Sequence, residues 1–175
     1  MRQLAIGLAV MAAASPALAE VKSAGSNGFE VEQRAEVAVP PAILYRAFAD
    51  LPGWWSDAHT YSGKAANLSL DLRPGGCWCE RLPRGGGVEH MRVAYVEPGK
   101  RVVLTGSLGP LLAEATTGVM QVAIDATPTG SVLVINYRAA GFFKGGAAKL
   151  APAVDEVLGE QVKRIGPYAA GLARR

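Results

Sequence analysis

Apolar and charged side chains near the C-terminal end of the chain recur at three- and four-residue steps, from residue 150 to residue 165. This spacing places one stripe of mostly apolar positions on the same face of a 3.6-residue helix. The stripe, which contains one glutamine, consists of Leu150, Val154, Val157, Leu158, Gln161, Val162 and Ile165. The pattern therefore predicts an amphipathic helix over 150–165. Gly166 and Pro167 are expected to end or kink it, because proline cannot donate a hydrogen bond to the carbonyl four residues back.

Between residues 29 and 140 the pattern changes to alternation with a period of two, interrupted by glycine and proline. Such alternation is typical of strands with one buried face. A first strand is predicted at 29–39 and a helix at 41–50. Further strands are predicted at 67–72, 77–82, 87–96, 101–106, 120–126 and 131–139. Because the amphipathic helix needs a surface to cover its apolar stripe, the predicted fold class is α+β, a curved antiparallel sheet wrapped around a long C-terminal helix.

The first 19 residues combine an early Arg2, an apolar run and the small-residue pattern Ala17-Leu18-Ala19. This combination is typical of a secretory signal peptide. We expect cleavage after Ala19 and a secreted or periplasmic protein. No later segment has the length of a membrane span, so stable membrane insertion is not expected. Residues 20–28 are interpreted as a flexible leader and residues 29–172 as one domain.

The distribution of charged residues and the absence of known motifs limit the partners and cofactors that we expect for this protein. The chain has 18 Lys+Arg against 15 Asp+Glu, and its basic residues are scattered rather than grouped. This distribution gives no reason to expect nucleic-acid binding. The chain contains no GxSxG, HExxH or GxxxxGK[ST] motif. We therefore expect no cofactor.

Cys77 and Cys79 are the two cysteines of the chain. Export would place them in an oxidising compartment, where thiols often pair. Separated by one residue in a strand, their Cα atoms would lie about 6.6 Å apart, at the upper edge of disulfide geometry. Both a strained bridge and free thiols remain open. With His90 they form three potential soft-metal ligands, but no spacing matches a zinc signature, and no metal site is predicted.

Four segments of the chain resemble a known superfamily. They are VAVPPAILYRAFADLPGWW at 37–55, LRPGGCW at 72–78, VAYVEPGKRVVLTG at 93–106 and VDEVLGEQVKRI at 154–165. They are similar to the SRPBCC superfamily of START-like and birch-pollen-allergen-like proteins, and most similar to the branch of the heat-shock-ATPase activator and polyketide cyclases. The resemblance implies a helix-grip fold whose cavity, between sheet and long helix, commonly takes lipids, sterols, aromatic polyketides or other apolar ligands. Export departs from the activator's role.

The turn at 83–86 suggests a register for the two strands that flank it. With four loop residues, Glu80 faces Glu89, Cys79 faces His90 and Trp78 faces Met91, and a slip of one residue would reverse every face. In this register Glu80 and Glu89 lie on the cavity side, where two opposed carboxylates could act as general acid and base. The alternative is that both lie at the rim, paired with arginine.

The predicted function is binding of a small, apolar or lipid-like ligand by an exported protein. The predicted lining residues are Trp55, Trp78, Met91, Tyr95, Met120 and Tyr137. One alternative is a cyclase- or lyase-type enzyme that uses Glu80 and Glu89. Another is an interaction protein whose core is filled and has no cavity.

Overall fold

A computed structural model describes residues 18–175 of the protein. Its eight strands form one sheet in the order β1-β2-β8-β7-β6-β5-β4-β3, and every neighbouring pair is antiparallel. The strands are β1 Leu18–Ala24, β2 Gly28–Val37, β3 Leu68–Leu70, β4 Cys77–Arg81, β5 Gly87–Glu97, β6 Arg101–Thr105, β7 Ala115–Thr127 and β8 Gly130–Phe142. The predicted α+β class is confirmed.

Within residues 18–175, three α-helices accompany the sheet: α1 Pro41–Ala49, α2 Leu51–Trp54 and α3 Ala151–Ala173. Both α1 and α3 have a proline in the first turn, where the missing N–H removes no helical hydrogen bond. Helix α3 packs against β2, β1 and α1. Among residues 18–175, no helix is both long and apolar enough to cross a membrane.

The core lies between α3 and the concave face of the sheet. From α3, the side chains of Leu158, Val162 and Ile165 are almost fully buried, as the predicted apolar stripe requires. They meet buried residues of the sheet such as Val31 in β2 and Leu133 in β8. Burial of this stripe supplies the hydrophobic driving force that holds the helix on the sheet.

Helix α3 continues through Gly166 and Pro167 to Ala173, so the prediction that these residues end the helix is wrong on this point. Pro167 and Lys163 are both exposed, so the proline lies on the solvent side of the helix. Tertiary contacts hold the last turns. The Tyr168 hydroxyl donates to the Asp50 carboxylate, and its ring occupies the space that a Cβ at Gly53 would need.

The segment predicted as a flexible leader, 20–28, forms most of β1 and the start of β2. Strand β1 pairs along β2, with Val21 opposite Val31, and Val21 is partly buried against the core. Pairing with a neighbouring strand therefore orders a segment whose own pattern is weak. Of the predicted signal peptide, residues 1–17 lie outside the described residues.

Candidate functional site

A cavity of about 440 Å³ lies between α3, the sheet and two loops. One wall consists of Leu150, which directly precedes α3, and of Ala153, Val154, Val157 and Leu158 from the first half of the helix. The loop after β6 supplies Leu108, Pro110 and Leu111, and the connection after α2 supplies residues 58–61. Most of this lining is apolar, as small-molecule pockets usually are.

Two tryptophans form the aromatic end of the cavity. The rings of Trp55 and Trp78 pack edge to face, with centroids 4.8 Å apart and an interplanar angle of 88°. Trp55 Nε1 donates to the carbonyl of His59 at 2.9 Å, which fixes the ring. The adjacent Trp54 turns away from the cavity and packs on Phe48 in the core.

A β-bulge in β5 brings His90 to the cavity. Trp78 pairs with Met91, as predicted, but Cys79 pairs with Glu89, so His90 is the extra residue. Side chains on the two sides of a bulge lose strict alternation. As a result, both His90 and Met91 point inward, whereas Glu89 points outward.

Glu80 is fully buried directly behind His90. Its carboxylate accepts hydrogen bonds from the backbone N–H groups of Ser62, at 2.5 Å, and Tyr61, at 3.1 Å. His90 Nε2 lies 3.0 Å from Glu80 Oε2. Burial alone would raise the pKa of Glu80, but the hydrogen bonds from Ser62, Tyr61 and His90 outweigh it and hold this pKa below its ordinary value. Glu80 is therefore a carboxylate at neutral pH.

His90 is the neutral member of this pair. Burial lowers the pKa of the imidazole, and the neighbouring Glu80 carboxylate only partly offsets this effect. A neutral imidazole facing a carboxylate carries its proton on the nitrogen that faces it, here Nε2, so Nδ1 is left as an acceptor. Among residues 18–175, Nδ1 has no hydrogen-bond partner although it is buried.

Trp78 has a hydrogen-bond donor that is unpaired within the described chain, the complement of the acceptor on His90. Its indole Nε1–H is a buried donor, and no partner for it is found in the described part of the chain. The Trp78 and His90 rings lie 6.2 Å apart, and both residues line the cavity. Two other buried atoms, Gln33 Oε1 and Trp54 Nε1, also lack partners, but neither residue lines the cavity. Both residues line the cavity, but these two polar atoms are themselves enclosed by the protein.

The mouth of the cavity is held by contacts between its loops and α3. His59 Nε2 lies 2.8 Å from Glu160 Oε2, and this hydrogen bond lowers the pKa of Glu160. The Ser56 N–H donates to Gln161 Oε1 at 2.7 Å. Across the opening, the Tyr61 hydroxyl donates to the Gly109 carbonyl at 2.9 Å.

Of the six residues predicted to line the cavity, only Trp55 and Trp78 do so. Met91, Met120 and Tyr137 lie in the closed core. The Tyr137 hydroxyl instead accepts a hydrogen bond from the Leu108 N–H at 3.2 Å and so positions the loop that forms one wall.

The predicted positions of Tyr95 and Glu89 on the cavity side are also wrong. A second bulge in β5, between Val93 and Tyr95, leaves Tyr95 49% exposed outside the core. Glu89 forms an exposed ion pair with Arg92. The predicted pair of opposed carboxylates is therefore not formed, and Glu80 faces His90 instead.

Sequence reasoning also missed the lining residues contributed by α3 and by the loop at 108–111. The helix residues were identified as an apolar stripe, but the stripe alone does not show which of its positions face a cavity. Apolar residues in the loop segment Leu108-Gly109-Pro110-Leu111-Leu112 were the available signal, since connecting loops are usually polar.

Cys77 and Cys79 form a disulfide, with Cα atoms 5.4 Å apart. This separation lies within the ordinary range, shorter than the value expected for an extended strand. The pair is half-buried on the outer side of β4, whereas the His90 side chain points inward. The three potential metal ligands are therefore not brought together.

The lowered pKa values of His90 and Glu80 predict a dependence of stability on pH. The folded chain resists protonation of His90, whereas the unfolded chain takes up that proton near the ordinary pKa of 6.5. We expect the free energy of unfolding to decrease as the pH falls from about 6.5, and to decrease further below the ordinary Glu pKa of 4.5 because folded Glu80 also resists protonation. Chemical denaturation across pH 4–8 measures both effects, with His90→Gln removing the first and His59→Gln, the matched control, retaining it. Equal slopes in the wild type and His90→Gln would contradict this assignment.

No protein-family model matches the chain, and no curated protein matches it either. Solved structures do share its fold. A putative uncharacterized protein from Rhizobium leguminosarum is 19% identical, with a TM-score of 0.60, over 92% of this chain and 100% of that one. A protein of unknown function from Staphylococcus aureus is 15% identical, with a TM-score of 0.61, over 85% and 97%. A Rhizobium loti protein is 21% identical, with a TM-score of 0.58, over 81% and 95%. These likenesses show a shared fold of antiparallel sheet and C-terminal helix.

Proposed function

We propose that this protein binds a small, largely apolar molecule in the cavity between α3 and the sheet. The observation that carries the proposal is the cavity itself, of about 440 Å³ and walled mainly by aliphatic and aromatic side chains. A space of this size accommodates a molecule of several fused rings or a medium-length acyl chain. The alternative of a filled-core interaction protein assumes that no such space exists, so we do not favour it.

We also propose that the chain is a helix-grip protein of the SRPBCC superfamily. The four resembling segments and the observed order of sheet and helix support this assignment. Fold analogy does not define a ligand, because one fold hosts many functions. The ligand class must therefore be argued from the cavity.

Ligand binding can be tested with N-phenyl-1-naphthylamine, a neutral apolar probe that fluoresces when it leaves water. We expect saturable binding to the wild type and a loss of at least about tenfold in affinity for Ala153→Trp, because the added indole takes cavity volume. Ala173→Trp, at the exposed end of α3, is the matched control and should bind as the wild type does. Absence of saturable binding, or equal affinity of both variants, would refute the proposed site.

Export is the second part of the functional proposal. The signal-peptide pattern of residues 1–19 supports it. The intact mass of the protein recovered from its exporting host should correspond to a chain that begins at Glu20 and lacks two hydrogens at Cys77 and Cys79. A recovered chain that retains residues 1–19 would contradict the proposal of cleavage.

A second candidate function is acid–base catalysis, and the orientation of His90 by Glu80 favours it. A movement of the two rings toward the cavity that they line would let His90 Nδ1 take a proton from a carbon next to a ligand carbonyl, while the carbonyl oxygen accepts a hydrogen bond from Trp78 Nε1–H. Glu80 would stabilise the imidazolium, and return of the proton to another carbon would complete an isomerisation without any other reactant.

Proton exchange into 2-tetralone tests this second candidate. In D₂O, NMR should show α-deuteration faster than in buffer alone, and His90→Gln should lose at least about tenfold of that acceleration because it removes the base. Ala173→Trp, at the exposed end of α3, should retain it. If the wild-type protein gives no acceleration over buffer, His90 is not a base toward a bound carbon acid.

A further inference from the structure

We infer that the Cys77–Cys79 disulfide is a redox-active site on the outer face of the sheet, where it oxidises thiols by exchange. This activity is separate from the proposed binding function, because the disulfide lies on the other side of β4 from the cavity. Trp78, between the two cysteines, lines the cavity, so the side chains before and after it point away from the cavity.

The bridge joins two residues of one strand and does not connect separate elements of the fold. The cysteines are two positions apart, and β4 is already held on both sides by its pairing with β3 and β5. A disulfide stabilises a fold mainly by restricting the unfolded chain, and this effect is smallest for the shortest loops. By thermodynamic linkage, a bridge that adds little to folding stability gains equally little protection against reduction from the fold. This placement therefore favours a reducible disulfide over a structural one.

The surroundings of the disulfide are open to solvent. Both cysteines are half-buried, and their cross-strand neighbours Ser69, Glu89 and Arg92 are exposed. Ser69 of β3 lies opposite Cys79, whereas in β5 Arg92 lies opposite Cys77 and Glu89 opposite Cys79. A thiol can therefore approach the bridge from solvent on this face.

Two opposite charges make the cysteines unequal. Glu89 and Arg92 form an exposed ion pair with each other, and the Cβ atoms of directly paired strand residues lie about 4.5–5.5 Å apart. The guanidinium beside Cys77 favours a thiolate there, whereas the carboxylate beside Cys79 disfavours one. Cys77 is therefore the better leaving group when the bridge is attacked at Cys79.

The exchange is balanced by two thiols and needs no other reactant. A first thiolate attacks Cys79 Sγ, which breaks the S–S bond, releases Cys77 as a thiolate and leaves a mixed disulfide on Cys79. A second thiolate attacks the substrate sulfur of this mixed disulfide and releases Cys79. Two thiols thus become one disulfide, and the two cysteines receive two electrons and the two protons that the thiols gave up.

Equilibrium with glutathione tests whether the bridge is reducible. In about 5 mM reduced and about 0.5 mM oxidised glutathione, at least about a tenth of the wild-type protein should be reduced, as redox-active disulfides are. The reduced fraction is measured as mass after alkylation with N-ethylmaleimide, and it should be the same when approached from the oxidised and from the reduced protein. A smaller reduced fraction would overturn the inference, because structural disulfides stay more than about 99% oxidised in such a buffer.

Two variants test the roles of the charges by their opposite effects. Arg92→Gln should slow reduction by dithiothreitol at least about threefold, because it removes the charge that stabilises the departing thiolate, whereas Glu89→Gln should accelerate it by a similar factor. Both variants break the same ion pair, so a merely loosened strand would change both rates in the same direction. That result would overturn the assignment of Cys77 as the leaving group. Arg34→Gln, which breaks the exposed Arg34–Glu36 pair, is the matched control and should leave the rate unchanged.

Two substrates distinguish the source of the thiol. Glutathione is a small thiol, and reduced, unfolded ribonuclease A presents protein thiols; the larger rate constant per thiol identifies the source that this face accepts. The double variant Cys77→Ala, Cys79→Ala should oxidise neither, and oxidation by this variant at the wild-type rate would also overturn the inference. None of these measurements uses the cavity, so a failure here is distinct from a failure of the proposed binding function.

Discussion

The candidate site depends on the buried carboxylate of Glu80 and on the hydrogen bonds that compensate its charge. Burying a carboxylate is unfavourable unless its charge is compensated by hydrogen bonds. Glu80 is compensated by the N–H groups of Tyr61 and Ser62 and by His90. These three contacts join β4, the loop after α2 and the bulge of β5. The same contacts that stabilise the charge therefore place the loop over the cavity and turn His90 toward it.

The cavity lies where α3 packs less tightly than it does farther along the helix and where polar contacts hold the two neighbouring loops. Farther along α3, Val162 and Ile165 close tightly onto the sheet, whereas near the helix start smaller or less buried side chains face two loops. Those loops are held by polar contacts at their edges, including Tyr61 to Gly109 and Tyr137 to Leu108. Because the loops are fixed from outside the cavity, apolar side chains need not fill the space between them.

The shared fold describes the architecture of this protein, whereas the side chains of the cavity bear on its function. The solved structures named above are below 25% identical to this chain, so their likeness shows the fold alone. What distinguishes a pocket on a common fold is the small set of polar atoms that it exposes to a ligand. In this protein, His90 and Trp78 line the cavity, and each has a buried polar atom without a partner among residues 18–175.

Much of the fold could be predicted from the chain because it follows from local periodicity. The step of three and four residues defined α3, alternation defined the strands, and the proline and glycine turns defined most of their limits. Two errors had a common cause: β1 and the last turns of α3 depend on partners distant in sequence. Pairing with β2 orders the former, and the contact of Tyr168 with Asp50 helps hold the latter.

The candidate site depended more heavily on tertiary structure. The pairing of Trp78 with Met91 followed from the length of the turn between their strands, and Glu80 was identified as a polar group of interest. Local alternation placed Glu89 beside it, but one extra residue in β5 exchanged Glu89 for His90. A bulge conserves neither face nor register, and it forms only when the strands meet. The sequence by itself thus determined the helix, the strands and the residues available for chemistry, while tertiary structure decided which of those residues meet, because that choice depends on register and loop contacts between distant segments.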